Sequence, residues 1–204
     1  MSALRELRPS LYRWTASHPD AEDDPQPGSP ADWGPDVGSV AYAARDALVL
    51  VDPLAPADRS DLLEELDELV RRHGKPVVIL TTLQFHRRSR EELVARYGAS
   101  TSRAKKSLPD GVETIQIRRA GETMVWLQEP RALIPGDRLL GGDRGGLRLC
   151  PESWLRYLPS KMSQAQLRKV LQPLLNLQVE MVLVSHGEPV LRGAREALAR
   201  ALDA

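Results

Sequence analysis

Three short apolar runs constrain this chain most: Leu48–Val51, Val77–Leu80 and Met181–Val184. Each is four residues long, too short for a buried helix and too uniformly apolar for a strand with one face in water. They are expected to be strands buried on both faces, so layers must lie on either side of the sheets that contain them.

The covering layers have a helical signature. Leu62, Leu63, Leu66, Leu69 and Val70 recur on one helical face and stop at Gly74, a residue suited to a left-handed C-cap. Ser89 and Glu92 stand in capping-box spacing before Leu93, Val94 and Tyr97. Ser163 opens a third helix with Leu167, Val170, Leu171 and Leu174, which Pro173 should kink or end. A fourth is expected from about Ala194 to Leu202.

The middle of the chain has a different period. Val112–Ile117, Thr123–Leu127, Arg131–Ile134 and Leu147–Leu149 are punctuated by Gly121, Gly136 and Gly145-Gly146, which predicts half-exposed antiparallel strands. Leu11–Thr15 also alternates. It precedes residues 19–35, which hold five prolines and the acids Asp20, Glu22, Asp23 and Asp24. That stretch is too polar and proline-rich to build a core, so it is expected to be a loop or mobile linker joining an N-terminal strand to the next. Strands at both ends with helices among them predict one domain over residues 1–204 with sheets covered by helices, an α/β or α+β layered fold.

Composition excludes several classes of function. The 28 Lys and Arg balance 28 Asp and Glu, so the chain lacks the net basic charge by which nucleic-acid binders neutralise phosphates, and only a local basic patch is left open. No run of some 18 apolar residues is present to span a bilayer. The single cysteine, Cys150, allows neither an internal disulfide nor a cysteine zinc cluster and reads as a small buried residue. The first residues lack a basic start and apolar core, so cytoplasmic residence is expected. Oligomeric state is not legible.

Each buried run ends abruptly in polar residues: Asp52-Pro53, then Thr81 to Ser89, then Ser185-His186-Gly187-Glu188. Ligands collect beyond the carboxyl ends of strands in such sheets, so these segments are candidates for one site, with Asp137 after Gly136 as a fourth contributor. In identity and order, Asp52, Thr81, Gly136-Asp137 and His186-Gly187 resemble the metallo-β-lactamase fold superfamily. That resemblance spans about Val37 to Leu202. It implies an αβ/βα sandwich of two mixed β-sheets flanked by helices, and an ancestral zinc hydrolase site.

The departures fall on the metal ligands. If Thr81 takes the Thr place of the family's Thr-His-X-His-X-Asp-His segment, then Thr82, Gln84, His86 and Arg87 occupy the four ligand places. Moving the register forward by two puts His86 in the second His place but leaves Gln84, Arg88 and Ser89 in the others. The family's lone central His is also missing, for the four histidines are His18, His73, His86 and His186, and Gly121-Glu122-Thr123 stand where it is expected. Zinc catalysis needs at least three ligands and an open position, and Asp137 with His186 supplies two. His86 would add a third if it pointed to the same centre, and Glu122 or Glu188 offers a carboxylate, whereas the fixed charge of Arg87 opposes a cation.

Asp52 is expected to be architectural, accepting backbone N–H bonds in the turn after its strand. His86-Arg87-Arg88-Ser89 is either a solvated helix-capping loop or an anion site. Asp137 and His186 are either an inherited ion pair or a general acid/base pair, since a histidine oriented by a carboxylate exchanges protons near neutral pH. No nucleophile elbow or nucleotide-binding glycine frame is present, and Trp154 with Tyr157 forms an aromatic cluster that is either a loop over the core or a wall of the site.

Two functions follow as expectations. One is a non-catalytic or regulatory binder of a small anionic ligand, with no cofactor or metal, whose old cleft uses Thr82, Gln84, His86, Arg87 and Glu188 beside Asp137 and His186. The other is a hydrolase of an ester, thioester, amide or phosphodiester with a single zinc, iron or manganese ion.

Overall fold

A computed structural model describes residues 3–29, 31–56, 58–101, 108–158 and 160–203. The N-terminal half builds a six-stranded sheet from β1 (Arg5–Arg8), β2 (Leu11–Ser17), β3 (Asp36–Ala43), β4 (Leu48–Val51), β5 (Val77–Leu80) and β6 (Ser100–Thr101), in that spatial order. The first four strands pair antiparallel, and the β4–β5 and β5–β6 pairs are parallel. Each parallel pair needs a crossover: α1 (Ser60–His73) connects β4 to β5 and α2 (Arg90–Tyr97) connects β5 to β6.

The second half runs through β7 (Val112–Ile117), β8 (Glu122–Leu127), β9 (Ala132–Ile134), the hairpin of β10 (Leu139–Gly141) with β11 (Leu147–Leu149), α3 (Glu152–Leu155), α4 (Gln164–Leu171), β12 (Met181–Val182) and α5 (Ala194–Asp203). Its sheet has the order β12-β9-β8-β7, parallel at β12–β9 and antiparallel elsewhere. Both sheets are therefore mixed, as expected.

Side-chain alternation shows how the layers stack. Val49 and Val51 of β4 join Val125, Leu127 and Ile134 in the core between the sheets, while Leu48 and Leu50 turn outward to Leu62, Leu66 and Leu69 of α1. On the far side, Met124, Trp126 and Leu133 pack against Leu167 and Leu171 of α4 and Leu198 of α5. The result is helix, sheet, sheet, helix, which explains why all of β4 and β5 is buried. It also corrects the expectation for β8. That strand is buried almost throughout because helices cover its second face.

Helix ends follow local chemistry with one exception. Gly74 closes α1 in the left-handed conformation with φ 59°, and Ser163 caps α4 in a full capping box with Gln166 before Pro173 turns the chain into a 3-10 segment. Ser89 precedes α2 but makes no cap bond. Its hydroxyl accepts from Ala55 N at 3.0 Å and donates to Ala55 O at 3.2 Å, so it ties two loops together. No described helix is long and apolar enough to cross a membrane.

The residues expected to form a loop do so: β2 and β3 pair from Leu11↔Tyr42 to Ser17↔Asp36, and the chain between them is coil and turn. Pro30 lies outside the described residues. The loop is anchored nevertheless, for Trp154 Nε1 donates to Ser29 O at 3.1 Å and Trp33 stacks edge-on to His18.

Candidate functional site

Four strand ends meet at one rim of the sandwich. Asp52 follows β4, Thr82 and His86 follow β5, Asp137 follows β9 and His186 lies four residues past β12. Asp52 organises the first two: its carboxylate accepts from Thr82 N at 2.8 Å and from the Thr82 hydroxyl, and one oxygen lies 2.8 Å from His86 Nδ1. With His86 Nδ1 turned to that carboxylate, Nε2 points to the other side of the ring. There it meets Asp137 Oδ1 at 2.9 Å, and His186 Nε2 approaches the same oxygen at 3.3 Å.

Asp137 is held from behind by a residue that sequence reading placed differently. Glu122 does not face the centre. Its fully buried carboxylate accepts from the backbone N–H groups of Gly136, Asp137 and Arg138 at 3.0, 2.9 and 2.9 Å, because a turn leaving a buried strand end has no ladder partners for these donors. Arg138 stands 3.8 Å away as a counter-charge and donates to Ala120 O. His186 is fixed through its backbone: it bridges Val37 of β3 and its carbonyl accepts from Gly141 N at 2.9 Å. A side chain at Gly141 would fall 2.5 Å from Glu188 N, so glycine is required for this close approach.

The electrostatics follow from burial and charge. Burial alone would strip the proton from His86, but the negative charges of Asp137 and Asp52 overcome it and raise its pKa to about 9. Burial opposes ionisation of Asp137 too, yet the His86 charge and contacts with both histidines hold its carboxyl well below the usual range. His186 is pushed down, mainly by burial, so it is neutral near pH 7. Burial likewise raises Glu122, against the charge of Arg138.

His86, Asp137 and His186 are the group among the described residues whose ligand atoms lie within 4.8 Å of one another, as a shared metal ion requires. Two ligand atoms on one tetrahedral zinc stand about 3.3 Å apart, close to the two contacts of Asp137 Oδ1. That oxygen is buried without an aligned hydrogen bond. Two imidazoles and a carboxylate are also a chemically suitable donor set, and the Asp52 contact to His86 is the outer-sphere carboxylate that orients ligating histidines. The residues therefore fit a single divalent cation. His186 Nδ1 has no hydrogen-bond partner among the described residues, so this second ring lacks that support.

The remaining sequence candidates divide. Thr82 joins the centre through Asp52 and His86. Gln84 and Arg87 do not, for the 3-10 turn Gln84–Arg87 directs them to a cleft on the other side of the loop. The guanidinium beside the centre is that of Arg88, which donates to Gly38 O and Asp52 O at 2.8 Å each and to Ser185 Oγ. A one-residue difference in a tight turn decided this, and nothing in the order Arg87-Arg88 signals it. Glu188 is exposed and is not part of the His86-Asp137-His186 group. His18, just before the 19–35 loop, is packed on Trp33, which meets the His186 ring at 5.4 Å while Trp154 meets it at 5.8 Å. Trp154 thus walls the site, and Tyr157 is exposed.

No family model matches the sequence, and no curated protein sequence matches it. Solved structures do. The metallo-beta-lactamase DIM-1 superposes with a TM-score of 0.65 over 98% of this chain and 94% of its own, at 15% identity. A metallo-beta-lactamase from Erythrobacter litoralis gives 0.62 over 98% and 90%, at 15% identity, and VMB-1 gives 0.64 over 98% and 94%, at 12%. The chain has the metallo-β-lactamase fold, as the order of its motifs implied.

Proposed function

We propose that a protein with this fold and this convergence of ligands is a metal-dependent hydrolase with an altered, single-ion centre held by His86, Asp137 and His186. One observation carries the reading: Asp137 Oδ1, buried and without an aligned hydrogen bond, stands 2.9 and 3.3 Å from two imidazole nitrogens. The expectation of no metal rested on two ligands, and the aim of His86 adds the third. An ion bound there would act as a Lewis acid and bring a water within reach of deprotonation near neutral pH.

The chain's own residues do the rest. Asp52 holds His86 so that Nε2 faces the centre, Glu122 fixes the turn that presents Asp137, and Arg88 ties Ser185, next to His186, to the ends of β3 and β4. Trp33 and Trp154 exclude water from the His186 side, leaving Asp137, with 17% of its side chain exposed, as the most open of the three. Esters, thioesters, amides and phosphodiesters are the bonds this chemistry suits.

A second reading is supported by the charge of His86. Flanked by Asp52 at 2.8 Å and Asp137 at 2.9 Å, a protonated His86 is itself a cation between two carboxylates, and the centre is then a metal-free core of a binding protein. Elemental analysis separates the two. Protein purified without chelator and offered zinc, iron or manganese should hold one equivalent, lost in Asp137→Asn and in His186→Ala, and the loaded protein should cleave a member of an ester, thioester and phosphodiester panel. Absence of metal above background rejects the hydrolase reading in favour of the second.

A further inference from the structure

The inner face of the second sheet changes character along its length. Cross-strand pairs Val112↔Leu127 and Thr114↔Val125 lead to Gln116↔Thr123, so positions that point between the sheets pass from apolar to polar within three pairs. The sandwich opens there. A cleft of about 330 Å³ is bounded by the residues after β5 on one side and by β7 and β8 on the other, and its polar lining is Thr81, Gln84, Arg87, Thr114, Gln116 and Thr123, with Thr82 at its back. Its volume is at the small end for metabolite sites.

Three features identify its occupant. Arg87 is exposed and makes no hydrogen bond or ion pair among the described residues, and among them its guanidinium is the only charged group of the lining. Among the described residues no carboxylate lines the cleft, although acids make up half of the chain's charged residues. The hydroxyls of Thr81, Thr114 and Thr123 and the amide of Gln84 have no protein partner among the described residues either, so donors surround one fixed cation with no anion to answer it. Such a lining matches an oxyanion, which takes a forked guanidinium contact and several hydroxyl or amide donors.

We propose that this cleft binds the phosphate or carboxylate of a small polar molecule, at a site distinct from the His86-Asp137-His186 centre and independent of whether that centre holds a metal. The small anionic ligand expected from the sequence is thereby moved to the far side of the loop, where Arg87 and Gln84 point. The 3-10 turn Gln84–Arg87 carries Arg87 toward the cleft and His86 toward the centre, so the two sites lie on opposite sides of one turn.

Isothermal titration of the full chain with inorganic phosphate and with acetate, at constant ionic strength, tests the proposal. At least one anion should bind saturably, with affinity falling about ten-fold or more in Arg87→Met and less in Gln84→Ala. Asp137→Asn should bind it as the parent does. Preference for phosphate or acetate assigns the ligand class. The proposal is overturned by an equal heat from chloride, by absence of saturation by about 10 mM, by unchanged affinity in Arg87→Met, or by loss of binding in Asp137→Asn with Arg87→Met intact, which would put the anion on the metal centre. Arg87 is exposed, so its variant folds and the comparison is interpretable.

Discussion

Replacing Glu122 by Gln is the most informative single perturbation, because it keeps the shape and removes the charge on which the Asp137 turn is built. In the native chain Oε1 accepts from Gly136 N, and Oε2 accepts from Asp137 N and Arg138 N. A glutamine oxygen in the Oε2 place retains two acceptances in weakened, neutral form. The amide nitrogen then faces the N–H of Gly136, and a buried donor left without an acceptor costs about 1–3 kcal/mol. The two weakened bonds add about 1 kcal/mol together, and Arg138, buried and 3.8 Å away, loses its counter-charge for about 1 kcal/mol more. The total is about 3–5 kcal/mol, a large part of the about 5–15 kcal/mol that stabilises a typical fold. For a chain of this size it lowers Tm by about 6–20 °C. Urea titration at pH 7 should show a lower midpoint with unchanged slope. Metal affinity should fall about ten-fold to a hundred-fold, as when an outer-sphere partner of a ligand is removed. The exposed Glu188→Gln should stay within about 0.5 kcal/mol of the parent. A cost below about 1 kcal/mol for Glu122→Gln would refute the argument, for it would mean that Glu122 is neutral in the fold and not the acceptor that organises the turn.

Other outcomes follow from the same geometry. In metal-free protein the folded state raises the His86 pKa from 6.5 to about 9, so its proton stabilises the fold fully below about pH 6.5 and that contribution, at most about 3 kcal/mol, is lost as pH rises through about 9. Urea midpoints of the parent and His86→Gln should therefore converge between pH 6.5 and 9, and a constant gap rejects the charged pairing. Gly141→Ala places a methyl 2.5–2.6 Å from Glu188 N and O, and should cost about 1–3 kcal/mol in thermal unfolding while weakening metal retention through the shifted His186 carbonyl contact. Ser163→Ala removes the capping box of α4 and should cost about 1 kcal/mol by the same measurement, with metal retention untouched.

Much of the architecture was legible in the chain because its causes are local. Leu48–Val51 and Val77–Leu80 announce doubly covered strands, Gly74 and Ser163 announce helix ends, and Asp137 and His186 stand at strand ends in a recognisable order. Where a local signal had a tertiary competitor, it misled: Ser89 has capping spacing, but the loop at Ala55 claims its hydroxyl. Glu122 stands where the resemblance expects a ligand. The Gly136–Arg138 turn packed behind it offers three backbone donors instead, and burial between Arg138 and that turn makes it a structural anchor.

Sequence alone therefore determined the layered class, the four longer helices, most of the longer strands and the order of polar loops, since period and capping act over a few residues; the short β1, β6 and β10 and the single-turn α3 carry too few residues to show a period. Whether His86 faces Asp137, which of Arg87 and Arg88 lies beside it, and whether the loop of Trp33 closes over His186 were decided by tertiary structure. Those contacts join residues tens of positions apart, and their geometry is set by how two sheets stack and how one tight turn aims its side chains, which no pattern within either segment encodes.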